Sequence, residues 1–204
     1  MELKDLIKQV ETDTHVNIIL KEGEGDARGP ADPDDVADIL PVIREVLLEY
    51  PEALRVSLLS TIAIYGKFQM AGKPFLGSAI PKEKRINLAI RSRTSIRSMR
   101  STLHHEIAHL IEVHPKFPKA EWLALSAPFE GLLEDAEHHP RDWYLERGFV
   151  SRYASKNRHE DFAEFAELAL TQAKELRSLA NEYPAIAAKK ALFSDIYAAI
   201  GMPI

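Results

Sequence analysis

The apolar residues of this 204-residue chain change their period near residue 94, and that change limits the class of fold open to it. Ahead of it lie short apolar, β-branched runs with one helical stretch among them. Val16–Leu20 predicts a strand, and the Gly/Asp-rich stretch Gly23–Gly29 its loop. Asp32 followed by Pro33 reads as a helix start. Val36, Ile39, Leu40, Ile43, Val46 and Leu47 then recur at helical spacing up to Tyr50, where Pro51 ends the helix. Leu54–Tyr65, rich in aliphatic residues, is expected as a central strand that Gly66 punctuates, with a second strand following. Phe75–Ile80 is bracketed by Pro74 and Pro81; proline cannot donate to a ladder, so this strand is expected at a sheet edge. A turn at Lys82–Lys84 leads into a return strand, Arg85–Ile90.

Beyond residue 94 the period is that of a helix. Met99, Leu103, Ile107, Leu110 and Ile111 make one apolar stripe along Thr94–Val113, and Pro115 closes it. Lys119–Leu125 reads as a short helix and Ala127–Ser151 as loop with helical pieces. Arg158–Ala180, with Phe162, Phe165, Ala166 and Ala169 on one side, and Ala185–Ile200 read as two further helices. The order predicts one α+β domain over 1–204: a sheet-rich half over about 1–93, holding a mixed sheet with an antiparallel edge strand, and a helical half over about 94–204.

Composition removes several functions. Without cysteine there is no disulfide, thiolate ligand or cysteine nucleophile, so any metal must be held by nitrogen and oxygen. A formal charge of −5 gives no global attraction to nucleic acid or anionic lipid. Arg85, Arg91, Arg93, Arg97 and Arg100 cluster locally and read as a solvated strand end and helix face. Met1–Val10 is interrupted by charges and lacks the apolar core of a signal peptide, and no run approaches the roughly 20 apolar residues of a membrane span. The cytoplasm is the default expectation, although a removed signal or export without one would leave no mark.

The segment His105-Glu106-Ile107-Ala108-His109 carries chemistry. Residues four apart lie about 400° apart around a helix, so both imidazoles leave one face a turn apart and can grip one ion. The apolar stripe runs to one side, leaving that face toward a cleft. A catalytic zinc has three protein ligands and an open position for water, and a carboxylate beside that water can take its proton, the role available to Glu106. His104 lies about 100° from His105 around the helix and reads as a partly packed histidine.

A third ligand is required. The pattern with glycine three and histidine six positions after the second histidine is absent, since Glu112 and Pro115 stand there. The donors left are Glu130, Glu134, Asp135, His138 and His139 in the loop, and Glu160, Asp161 and Glu164 on the next helix. Glu160 and Glu164 share one face, so one can ligate while the other hydrogen-bonds a neighbouring group. Glu160 also completes a capping-box spacing with Asn157, and the local pattern leaves the choice open.

The run Tyr153-Ala-Ser-Lys-Asn157-Arg-His-Glu160-Asp-Phe-Ala-Glu164, downstream of the histidine pair, resembles the catalytic core of the anthrax lethal factor-like zinc peptidases, of the gluzincin type, and related zinc-binding metallopeptidases. The resemblance covers about Thr94–Leu170. It implies a zincin-like fold and one Zn2+ per chain, with Glu160 as third ligand beside His105 and His109. It further implies Tyr153 as the hydroxyl that stabilises the oxyanion and Glu164 as a carboxylate behind the ligands. Tyr153, whose phenol stays protonated at neutral pH, suits that task, although its place after Gly148-Phe149-Val150 would also suit a packing aromatic.

The expected function is therefore zinc-dependent endopeptidase activity on a peptide or protein substrate, by a zinc-bound water that Glu106 activates, with zinc and Tyr153 holding the oxyanion. The strand near Phe75–Ile80 is expected to pair with an extended substrate. Two alternatives use the same residues: a regulatory protein on a zincin scaffold, and an amidohydrolase of a non-peptide substrate.

Overall fold

The computed structural model describes residues 2–23, 27–70, 73–92, 94–129 and 139–204. The chain packs as two compact units, Met1–Leu110 and Ile111–Ile204.

The first unit opens with helix α1 (Leu3–Thr14), unforeseen in the sequence, which ends at His15 in the left-handed conformation. Strand β1 (Asn17–Leu20) and the two-residue β2 (Ala27–Arg28) follow. Helix α2 (Pro33–Glu49) begins as expected: Asp32 accepts a hydrogen bond from the Asp34 amide, and Pro33 fills the first turn, where a missing N–H costs nothing. The expected strand over Leu54–Tyr65 divides. Its first half is helix α3 (Glu52–Leu58), and only Thr61–Tyr65 is strand, β3. Pro51 and Glu52 start a helix well, and the one β-branched residue in α3, Val56, stays exposed, so helix period and burial override β propensity.

Strands β4 (Lys67–Met70), β5 (Lys73–Phe75), β6 (Gly77–Ile80) and β7 (Arg85–Ala89) complete the sheets, with a 3-10 turn at Pro81–Glu83. The main sheet has the order β1-β3-β7-β6. Its first three strands are parallel, and β6 lies antiparallel to β7 at the edge. The mixed sheet and its antiparallel edge thus agree with the sequence reading, although the edge strand is shorter than Phe75–Ile80. Phe75 belongs instead to a second, antiparallel sheet, β2-β4-β5.

Helix α4 (Ile96–Glu112) follows. Its stripe of Met99, Leu103, Ile107 and Leu110 is buried, and Ile107 and Leu110 meet Leu47, Tyr50 and Leu58 around a small apolar gap. Arg55 anchors this corner. Its guanidinium donates to the Thr14 carbonyl at 2.7 Å, Tyr50 at 2.9 Å and Leu47 at 3.1 Å, three carbonyls at the C-terminal ends of α1 and α2. Of the arginine cluster, Arg85 pairs with Glu83 and Arg100 with Glu45 and Glu49, while Arg93 lies outside the described residues.

The second unit is helical: α5 (Lys119–Ala124), α6 (Arg141–Glu146), α7 (Arg158–Thr171), α8 (Ala173–Glu182) and α9 (Pro184–Ala199). The helix expected over Arg158–Ala180 is two, broken at Gln172, whose backbone (φ −139°, ψ 47°) leaves the helical region without a glycine or proline to announce it. Phe162 and Phe165 are buried as expected, edge-on to Trp122 and against Phe193.

In this aromatic core lies a charge pair with no solvent exposure. Lys189 Nζ stands 2.7 Å from both Asp161 oxygens and donates to the Gly148 carbonyl at 2.6 Å; Asp161 Oδ2 also accepts Trp122 Nε1 at 3.0 Å and Ser126 Oγ at 2.8 Å. Burial pushes the Asp161 carboxyl up and the Lys189 ammonium down, each opposed by the partner's charge. Among the described residues, no helix is long and apolar enough to cross a membrane.

Removing one member of such a pair strands the other. Lys189→Met is expected to cost about 3–5 kcal/mol in urea unfolding. Adding Asp161→Asn should recover part of it, because the neutral amide oxygen still accepts from Trp122 and Ser126.

Candidate metal and catalytic site

Helix α4 carries the histidine pair, which lies within the first unit. His105 and His109 are half-buried, their rings stand edge to face, and their Nε2 atoms lie 3.2 Å apart. Two nitrogens bound to one tetrahedral zinc at about 2.0–2.1 Å would stand about 3.3 Å apart. The separation of the pair therefore matches a shared ion of that geometry, and in a chain without thiolates imidazole nitrogens are donors suited to zinc. Glu106, between them in sequence, is 5% exposed and lies beside edge strand β6: a side chain at Gly77 would meet its Oε1.

His104 faces inward, as the helical angle requires, and is fully buried. Its Nδ1 and the Tyr50 hydroxyl are 2.8 Å apart, and Glu49 lies 3.6 Å from its Nε2. Burial, with the nearby Arg100 adding to it, pushes its pKa down to about 4, so the packed ring is neutral at neutral pH. This fixes which face of α4 is core and which is site.

The remaining candidate residues lie in the second unit. Asn157 caps α7, its Oδ1 accepting the amides of His159 at 2.9 Å and Glu160 at 3.1 Å. The Glu160 side chain is turned to a turn of the chain just before the helix: its Oε1 accepts Tyr153 Oη–H at 3.2 Å and Lys156 Nζ at 3.4 Å. Lys156 also stands 3.4 Å from the Tyr153 hydroxyl and over its ring. Glu164, one turn along α7, accepts Ser151 Oγ–H at 2.6 Å, and the same Ser151 oxygen accepts the Ala154 amide at 3.0 Å. Next to Glu160, His159 Nδ1 lies 2.5 Å from Glu112, which belongs to this unit.

The other sequence-based ligand candidates divide. Asp161 has both oxygens committed to the buried Lys189, Trp122 and Ser126, so it is no candidate. His139 stacks on Trp143 at 3.9 Å between ring centroids. Glu130, Glu134, Asp135 and His138 lie outside the described residues. Sequence reasoning passed over Ser151, Lys156 and Gly77. The spacing of Lys156 four before Glu160 was a readable signal; Gly77 and Ser151 carried none.

A family model described as "putative zinc-binding metallo-peptidase" matches residues 29–193. A crystal structure of a putative zinc-binding metallo-peptidase from Bacteroides caccae has a similar fold, with a TM-score of 0.63 and 15% sequence identity, covering 95% of this chain and 85% of that one. No curated protein matches the sequence.

The neutral His104 has a consequence for acid stability. In the unfolded chain a histidine titrates near 6.5, so on acidification the unfolded state takes up the proton first. The stabilisation is present above about pH 6.5 and is lost as pH falls through about 4, amounting to at most about 3 kcal/mol. Urea midpoints measured from pH 7 to 4 should fall less steeply in His104→Gln than in the wild type.

Proposed function

The chain belongs to the putative zinc-binding metallo-peptidase family, and from that premise we propose that it is a zinc-dependent endopeptidase whose ion is held by His105, His109 and Glu160. The observation that carries the proposal is the His105–His109 pair, 3.2 Å apart between Nε2 atoms, with Glu106 between them on one helix. For Glu160, support comes from the donors already aimed at its carboxylate and from its neighbour His159. That residue is tied to Glu112, three positions beyond His109 on α4. The likeness of Tyr153–Glu164 to lethal factor-like peptidases supports the same set.

Zinc bound there would lower the pKa of a water to about 7 and polarise a carbonyl. Glu106 accepts the proton of the attacking water and returns it to the leaving amine. Tyr153 donates its hydroxyl proton to the oxygen that becomes negative in the transition state; in the structure that proton is held by Glu160, and it would be redirected to substrate. Lys156 holds the phenol in place through its contact with the hydroxyl. Strand β6 has β7 on one side and ends the sheet on the other, so it can add an extended peptide by backbone hydrogen bonds, with Glu106 adjacent at Gly77.

Metal analysis beside cleavage of a quenched fluorescent peptide library tests each role. Glu160→Ala should purify with little zinc, and zinc retained in it at the wild-type level would sink the ligand set. Glu106→Gln should keep its zinc and lose about 10²–10⁴-fold in rate. For Tyr153→Phe the expected outcome is retained zinc and a loss of about 10²-fold in kcat with KM little changed.

A further inference from the structure

We propose that Gly77 is a positioning residue for Glu106: the carboxylate is lodged in the space where any other residue of the edge strand would carry its Cβ. A Cβ built at Gly77 would lie 2.6 Å from Glu106 Oε1, 2.8 Å from Glu106 Cγ and 2.6 Å from Thr102 Cγ2. Carbon contacts are comfortable from about 3.5 Å, so these atoms would have to withdraw by nearly 1 Å. Gly77 is itself buried and paired with Leu88 in the β6–β7 ladder, so the strand cannot simply move away. Its missing side chain is what lets a helix carboxylate approach the strand's backbone this closely.

The two contacts have different consequences. The cheapest relief is rotation of the Glu106 side chain, because its oxygen is the far end of a flexible group, while α4 is held by its buried stripe. An alanine at 77 would therefore move the proton acceptor by a distance that matters to catalysis, with a packing cost set by Thr102 Cγ2 and Glu106 Cγ. Misplacement by about 1 Å is worth about 10²-fold in rate. The Thr102 contact is purely packing, and Thr102→Ser removes the methyl concerned. The inference rests on Glu106 acting as the base, and the experiment separates the two.

Wild type, Gly77→Ala, Glu106→Gln, their double variant, Thr102→Ser and Gly77→Ala/Thr102→Ser are loaded with Co2+, and acetohydroxamate affinity is read from visible absorption. Bound to the metal, this probe must pass a proton or hydrogen bond to the adjacent carboxylate, so its Kd reports the position of Glu106 without any turnover. Metal content should be equal in all six. Gly77→Ala should bind acetohydroxamate at least about tenfold more weakly, with kcat on a quenched peptide reduced about 10²-fold. The double variant with Glu106→Gln should be no weaker than Glu106→Gln alone, because Gly77 acts through that side chain. The Thr102→Ser combination should restore packing but not affinity, which also covers the case in which Gly77→Ala alone folds poorly. Wild-type affinity in a folded Gly77→Ala, or recovery in the Thr102→Ser combination, overturns the positioning role while leaving Glu106 as base. Wild-type affinity and cleavage in Glu106→Gln would remove the base, and Gly77's role with it.

Discussion

A carboxylate placed where no water reaches it must find a positive charge and further donors, or it will not stay there. Asp161 meets that demand with Lys189, Trp122 and Ser126, and Lys189 spends its remaining reach on the Gly148 carbonyl. In one arrangement α5, α7, α9 and the turn after α6 are fixed to each other. A buried ion pair adds little net stability over a well-packed apolar substitute. Its contacts do have direction, which apolar packing lacks. Asp161 is locked inward, while Glu160, 100° back around α7, is turned to Tyr153 and Lys156, and Asn157 caps the same turn.

The first unit solves the same problem twice. Arg55, buried, gives its protons to three carbonyls at the ends of α1 and α2, and so sets where those helices stop. His104, buried beside Tyr50, avoids the cost by staying neutral. Its inward position leaves His105 about 100° around α4, on the flank it shares with His109. The polar groups that look structural are therefore the ones that orient the groups with chemistry.

What could be read from the chain follows how local each feature is. His105 and His109 come from one helix whose spacing alone makes them converge, and the stripe on α4 confirms the helix, so both were legible. The edge character of β6 was legible because Pro74 and Pro81 limit what lies between them. Helix α3 was misread because Leu54, Val56 and Leu59 suit either period over so short a run, and burial decided for helix. The sheet β2-β4-β5 was missed because strands of two to four residues with lysine, glutamine and proline show no alternation. The break at Gln172 has no breaker residue. Gly77 is the clearest case of a role invisible in sequence, since it depends on how near a strand comes to a helix that begins nineteen residues later.

Glu164 makes a contact that its spacing from Glu160 does not announce. A carboxylate one turn beyond a ligand is expected to support the ligand directly. Here its Oε2 accepts a hydrogen bond from the Ser151 hydroxyl, and Ser151 in turn accepts the Ala154 amide, closing the turn that contains Tyr153. Lys156, at the end of the same turn, reaches back to the Tyr153 hydroxyl and to Glu160. Through Ser151, Glu164 is therefore linked to the turn that carries Tyr153. Glu160 and Glu164 of α7 meet the same short turn, one at Tyr153 and one at its first residue, so the spacing of four between them reflects a turn held at two points.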